Sequence, residues 1–532
     1  MYMRENDGNH VLVRPRLSTV VVALAAISLC VVVTFVALYL LSPSAQASSS
    51  AAPAPSLPPL SQPSSTNSGA YRERQLLQEK NPQPSRDIID RHLRQVVVVG
   101  AGMAAASFVH NLPRAYRDVT IIYEASSRAG GRALSSPTQT TPISTAATPR
   151  EFAANVYHPF IHLHTHRFLQ QLGCQTMQVA LRVPQSFYWS ETTGTVPIPT
   201  HTPTCTTAIT PRTTSSATTV VKRVPLKDCM PEDYAWLAVT GIPAKEAPNA
   251  DATLLRNITL KNYGVAVSGF GWQDAAMRGI GELPVMYNHT LRQVIIRRDK
   301  PTCKAILQFS NGFSTIVRLG SKNGSGNARS TTTGAIVLTL PPADLVNVQG
   351  IPSAVKTLIS DCFTTIAGGV LFATWATADV WWMKLGFPQG VFATDTPLGR
   401  AFVLPTGNDM RFQMVGQSHL DYWSNLIFNQ NAPQGAKFAM SAEEAVAYYL
   451  RKIFQSDDIA VPVAVTFKAW PRAVALWNVG VDRTNALKTL QRPFGDDVAV
   501  YWASADISDS PGWVEGAVQS GYDAARAVNA LQ

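Results

Sequence analysis

Charge is scarce in this sequence. Of its 532 residues only 15% are Asp, Glu, Lys or Arg, whereas 46% are hydrophobic, which excludes a highly charged disordered chain. The net charge is +10, but no Lys/Arg run interleaved with aromatics is present. The basic balance therefore reads as scattered solvated charge and gives no reason to expect a nucleic-acid partner. Cysteine is sparse as well. The six residues Cys30, Cys174, Cys205, Cys229, Cys303 and Cys362 are too widely spaced for a zinc or CxxC pattern. A Cys205–Cys229 disulfide and buried unpaired thiols are the two readings of these side chains.

Uninterrupted apolar sequence is concentrated in one place. Residues 17–41, LSTVVVALAAISLCVVVTFVALYLL, carry no charge. At about 1.5 Å per residue they are long enough to cross a ~30 Å hydrocarbon core. Arg14 and Arg16 precede the run and the next basic residue is Arg72, so the positive-inside bias assigns residues 1–16 to the cytosol. The remainder is then lumenal or extracellular. A cleavable signal peptide, ending at the AQA that closes with Ala47, is the alternative. Three N-x-S/T sequons, at Asn257, Asn288 and Asn323, agree with a secretory route and with a glycoprotein.

A stalk rich in Pro, Ser and Ala follows and extends to residue 92; it has too few apolar side chains to offset the entropy of ordering. Three further low-complexity stretches, 135–149, 192–219 and 321–334, read as surface insertions. Between them QVVVV, VTIIYE and TGAIVLTLPP are the unbroken apolar strands of a parallel sheet covered on both faces, and VAVYWASAD (498–506) is another. SAEEAVAYYLRKIF opens with a capping box, Ser441 to Glu444, and predicts a helix over 441–454. GWVEGAVQSGYDAARAVNAL predicts a helix at the end of the sequence. The sheet strands lie so far apart that a second domain must be inserted between them.

VVVVGAGMAAASF places Gly100, Gly102 and Ala105 in the G-x-G-x-x-G/A pattern between a strand and a helix. Gly100 serves the tight turn, Gly102 lets backbone approach a pyrophosphate, and Ala105 lets the helix pack closely. The helix N-terminus then faces the phosphates. Glu124, 22 residues after Gly102, is placed to accept ribose hydroxyls and would repel a 2′-phosphate. These residues predict a dinucleotide site.

The following loop, EASSRAGGR, resembles the E-A-x-x-R-x-G-G-R element of the flavin-containing amine oxidase superfamily, whose members include monoamine, polyamine and L-amino-acid oxidases. The resemblance implies that Arg128, Gly130, Gly131 and Arg132 wrap FAD, with the arginines answering its diphosphate. VYWASADIS…GWVEGAVQSGYDAA resembles the C-terminal flavin segment of the same superfamily. It implies Asp506 beside the ribityl chain, with Gly512, Trp513 and Val514 entering a helix aimed at the flavin and Trp513 facing the ring. YNHTLRQVI is similar to the strand whose backbone meets adenine, near Leu291, and VYHP (156–159) is similar to prenylcysteine oxidase. The three histidines of HLHTH (162–166) read as surface residues rather than metal ligands.

The resemblance thus implies an α/β fold: a Rossmann-type FAD-binding domain with an interleaved α+β substrate domain, preceded by one transmembrane helix. Cofactor-binding parts fall at about 93–150, 250–345 and 465–532, and substrate parts at 151–249 and 346–464. The implied activity is FAD-dependent amine oxidation with O2 as acceptor and a small amine or apolar molecule as substrate. Two departures stand out. Ser504 replaces a usual glycine, and Val346 or Asn347 stands where many members have a lysine. No cysteine lies near Trp470–Trp477 in the sequence, so FAD is expected to be non-covalent. A thioether oxidase or isoprenoid desaturase, favoured by the tryptophans at 375, 381, 382, 470 and 477, and a non-catalytic FAD protein are the competing functions.

Overall fold

The computed structural model describes residues 2–4, 10–12, 95–136, 150–152, 156–180, 186–197, 225, 248–251, 263–267, 271–299, 302–319, 334–376, 380–403, 408–428 and 440–531. Met1–Arg14 and Leu93–Gln532 form one unit and Pro15–His92 a second, and the second lies outside the described residues. So do the apolar run 17–41, the stalk, Asn257, Asn323, Cys30, Cys205, Cys229 and most of the three insertions. Among the described residues no helix is long and apolar enough to cross a membrane. Asn288 is exposed, at a left-handed turn.

In chain order, β1 (Val96–Val99), α1 (Met103–His110) and β2 (Thr120–Tyr123) form a βαβ unit. α2 (Leu163–Gln171), α3 (Gly271–Ile280), β3 (Leu291–Asp299) and β4 (Ala335–Leu338) follow. The next elements are β5 (Phe363–Thr374), β6 (Arg400–Val403), β7 (Asp409–Val415), α4 (Ala442–Phe454) and β8 (Ala464–Trp477). β9 (Val500–Trp502) and α5 (Val514–Asn529) close the fold.

The expected parallel sheet is present, with the order Val285–Met286, β2, β1, β4, β9. Val96 pairs with Thr120 on one side and Ala335 on the other. Every residue of β1, β2, β4 and β9 is buried, which is why these strands read as continuous apolar runs. α1 and α5 pack against each other across this core; Ser107 Oγ donates to the Val518 carbonyl at 2.6 Å. Gly521 permits the contact, since a Cβ there would lie 2.2 Å from the Ala104 carbonyl oxygen.

The inserted domain is a seven-stranded sheet ordered Gly194–Pro197, Phe187–Ser190, Gly390–Thr394, β6, β7, β5, β8. The strand β8, which opens the last part expected to bind cofactor, 465–532, pairs with β5 in this sheet. One face of the sheet packs under helices: Leu371, Phe412 and Phe467 share a core with Leu420, Trp423 and Val446. α4 carries the predicted capping box, with Ser441 Oγ accepting from Glu444 N–H and the Glu444 carboxylate accepting from Ser441 N–H.

Candidate cofactor site

The site lies at the carboxyl ends of β1, β2, β4 and β9, where open α/β sheets bind ligands. β1 ends in Gly100 at φ +103°, a conformation that L side chains rarely adopt, and a Cβ there would lie 2.4 Å from Thr339 Oγ1. Gly102 caps α1 without a side-chain hydrogen bond, so the first amides of the helix face the turn. Ala105 is fully buried in the α1 packing. Glu124 follows β2 directly. Its Oε2 accepts from Ala101 N–H at 2.7 Å, and its Oε1 accepts from Ser126 N–H at 2.9 Å and Ser126 Oγ at 2.8 Å. The predicted ribose acceptor is thus also the clamp that holds the glycine turn. Leu291 opens β3, 7% exposed, and His289 N–H, just before it, donates to the Glu124 carbonyl at 2.8 Å.

The two motifs predicted to share one nucleotide do meet. Gly130 N–H donates to the Ala101 carbonyl at 2.8 Å, and a Cβ on Gly131 would lie 3.3 Å from Gly102 Cα. The two arginines divide their work. Arg128 turns back into its own loop, donating to the Gly131 carbonyl at 2.8 Å. Arg132 reaches the other end of the fold: Nη2 lies 2.9 Å from Asp506 Oδ2, and Nη1 donates to the Ala473 carbonyl of β8 at 2.6 Å. Asp506 is fully buried and also accepts from Ala475 N–H at 3.0 Å. Ser504, the departure from glycine, donates to Asp506 Oδ2 at 3.1 Å and so serves the acid it precedes.

α5 begins where the resemblance implies. Gly512 precedes it, Trp513 caps it without a side-chain hydrogen bond, and Val514 is its first residue. The ring contacts of the half-buried Trp513 are histidines: His162 at 4.6 Å and His158 at 5.5 Å between centroids. The surface reading of HLHTH is corrected here, because His162 is only 2% exposed. Its Nδ1 accepts from His158 N–H at 3.1 Å, and burial, followed by the charge of His158, lowers its pKa to about 3. α2 turns inward at this point because Glu515, in the first turn of α5, accepts from His164 N–H at 3.1 Å and Thr165 N–H at 2.8 Å. Nothing in the histidine spacing signals that partner; an acid opening the last helix is the only trace of it in the sequence.

The shift of His162 carries a sign. Folded His162 titrates far below an unfolded histidine, so the unfolded chain binds the extra proton between about pH 6.5 and about pH 3. Stability is full above that window and falls as pH drops through it. His162→Gln is expected to flatten the loss between pH 6.5 and 4.5, read as urea midpoints against pH. An unchanged slope contradicts the assignment.

The helix-free face of the seven-stranded sheet turns toward the arginine loop: Val370 and Phe372 of β5 pack with Leu134, Phe152 and Trp470. This face bears a polar group that composition does not reveal. Arg150 pairs through Nε with Asp409 Oδ2 at 2.8 Å, and Arg411 Nε donates to the Glu151 carbonyl at 3.0 Å. The Glu151 carboxylate caps α3 through Trp272 N–H at 2.9 Å; burial pushes its pKa up to about 8. The signal was present in the sequence as period-two alternation. In β7, Asp409, Arg411 and Gln413 alternate with Met410, Phe412 and Met414. The tryptophans behind the apolar-substrate alternative have a plainer explanation: Trp375, Trp381, Trp382 and Trp477 are core residues, each at most 4% exposed. Val346 and Asn347 line a cavity of about 360 Å³ with Phe363, Thr365 and Arg472, and among the described residues no lysine lines it.

Known proteins share parts of this pattern. The family model described as flavin containing amine oxidoreductase matches residues 427–529, which span α4, β8 and α5. Together with the fold, this bears out the resemblance to the flavin-containing amine oxidase superfamily and the expectation of a flavin-dependent oxidoreductase. Two solved structures give particular instances of the fold. Cyclohexylamine oxidase from Brevibacterium oxydans IH-35A aligns with a TM-score of 0.56 at 16% identity, covering 82% of this chain and 98% of that one. A triple mutant of putrescine oxidase with redesigned cofactor binding aligns with a TM-score of 0.56 at 16% identity, covering 82% of this chain and 99% of that one. No curated protein matches the sequence.

Proposed function

We propose that the chain is an FAD-dependent amine oxidoreductase that holds its cofactor non-covalently and is anchored through residues 17–41, with the catalytic region lumenal or extracellular. The observation that carries the cofactor assignment is the junction of the two glycine motifs, Gly130 N–H to the Ala101 carbonyl at 2.8 Å, tied through Arg132 to Asp506 at 2.9 Å. The donor set suits FAD. The uncapped start of α1 and the guanidinium of Arg132 suit a diphosphate, while Glu124 keeps acceptor capacity for ribose hydroxyls. The start of α5 suits negative charge on the ring. When bound, FAD would supply the acceptor for a hydride from a C–H next to nitrogen, with dioxygen assigned as the final oxidant. The chain's own part is to bind and orient.

Purified protein is expected to be yellow, with a band near about 450 nm that is lost on denaturation and filtration. The band should bleach anaerobically with an amine substrate and return in air. A colourless protein that takes up no added FAD contradicts the proposal, and flavin that stays with the precipitated chain contradicts non-covalent binding.

A further inference from the structure

One corner of the proposed cofactor site is built from side chains that the function above leaves unused. α5 starts against β8: a Cβ on Gly512 would lie 2.7 Å from Val474 Cγ2. Val474 stands between Ala473 and Ala475, whose backbone meets Arg132 and Asp506. Gly512 has φ +78°, a conformation that favours glycine, so the chain turns where it touches the strand. Trp513 comes next and is half-buried. The turn therefore sets a large ring, partly uncovered, close to the arginine–aspartate pair.

The segment leading into α2 packs on this ring. The centroids of His162 and His158 lie 4.6 and 5.5 Å from that of Trp513, at interplanar angles of 55° and 51°, and 5.5 Å from each other. His162 is held twice by one residue: its N–H donates to the His158 carbonyl at 2.7 Å, and its Nδ1 accepts from the His158 N–H at 3.1 Å. With Nδ1 accepting, the neutral ring carries its proton on Nε2, and burial keeps it uncharged. The contact continues in step. His164 and Thr165 N–H donate to Glu515, two residues beyond Trp513. Residues 162 and 164–165 thus meet 513 and 515, which joins the start of α2 to the start of α5. α5 is in turn fixed to α1 at Gly521 and Ser107, so the junction is tied to the glycine turn.

Filling space asks for no polar ring, since an apolar side chain of similar size would pack as well. A ring bonded to a neighbouring backbone amide does more. It cannot turn about its side-chain torsions without breaking the Nδ1 bond, so it presents one fixed surface to Trp513. Aromatic pairs have preferred tilts, and a fixed ring passes its orientation to the ring it touches. We infer that His162 is a positioning residue: it holds the Trp513 indole at one angle, so that the uncovered part of the indole forms a wall of the flavin site. This rests on the FAD reading above and deepens it.

Flavin emission from the flavin-containing protein tests this, because an electron-rich indole close to the ring quenches the excited flavin. Trp513→Phe is expected to emit severalfold more than the parent. His162→Asn keeps an acceptor at the Nδ1 position but offers no ring, so it should brighten toward Trp513→Phe. His162→Phe keeps a ring and loses the acceptor, so it should stay as dim as the parent while its urea midpoint falls. Trp513→Phe as dim as the parent, His162→Asn no brighter than the parent, or His162→Phe as bright as Trp513→Phe overturns this inference alone. If His162→Asn keeps no flavin, the other two variants decide. A parent protein that takes up no FAD overturns the function proposed above, and this inference with it.

Discussion

Gly100→Val is expected to give a protein without flavin. The turn has no room for the change: a Cβ at this position lies 2.4 Å from Thr339 Oγ1 and 3.2 Å from the Thr339 carbonyl oxygen. Thr339 has little freedom to retreat, since both its N–H (2.8 Å) and its Oγ1 (3.0 Å) donate to the Val99 carbonyl. The φ of +103° adds strain of about 1–3 kcal/mol, more for a β-branched residue. The backbone can relieve it only by moving Ala101 and Gly102, which carry the contacts to Glu124 and to the arginine loop. In the proposed function those contacts set the approach to the diphosphate. The ratio of flavin to protein absorbance reads the outcome, and full flavin content contradicts the placement of the diphosphate at this turn. Thr339→Gly in the same chain removes the clash but not the φ strain, so it should restore flavin only in part.

Breaking the Arg132–Asp506 pair is expected to have the largest effect on stability. Asp506 is fully buried and accepts from Arg132, Ala475 N–H and Ser504 at 2.9, 3.0 and 3.1 Å. Breaking a buried ion pair from one side costs about 3–5 kcal/mol, because the partner is left without compensation. The Arg132 side chain is 28% exposed, so hydration eases the loss and the lower end of that range is expected for Asp506→Ala. Arg132→Met should cost as much or more, since the carboxylate it strands is only 1% exposed. The double variant Arg132→Met/Asp506→Leu should be less damaging than the sum of the single changes. Urea unfolding of the flavin-free protein measures all three. Losses below about 1 kcal/mol, or strict additivity, contradict a coupled buried pair.

Much of the cofactor half was legible because its signals are local. β1, β2 and β4 are buried on both faces, which leaves unbroken apolar runs, and the turn between β1 and α1 needs glycine at the position where glycine stands. The inserted half was less legible. Gly368 and Trp470 face each other across β5 and β8, as do Phe402 and Arg411 across β6 and β7, and such pairings follow from register, which single strands do not announce. Arg132 shows the limit well. Its motif names the cofactor, but the carboxylate it meets lies at the opposite end of the fold, and only the closure of β8 against β5 brings Ala473 and Asp506 to it. His162 reads as polar and exposed until Trp513 covers it.

The strand Ala464–Trp477 has a mechanical consequence. One stretch of backbone carries Lys468 over Trp470 on the face away from the helices and, further on, Ala473 and Ala475 against the arginine–aspartate pair. Between the two lies an irregularity: three residues of the strand, between Trp470 and Val474, stand opposite one residue of β5, between Ile366 and Gly368. That slack works as a joint between the two ends, and length in this strand is freest to vary there, where pairing is already interrupted.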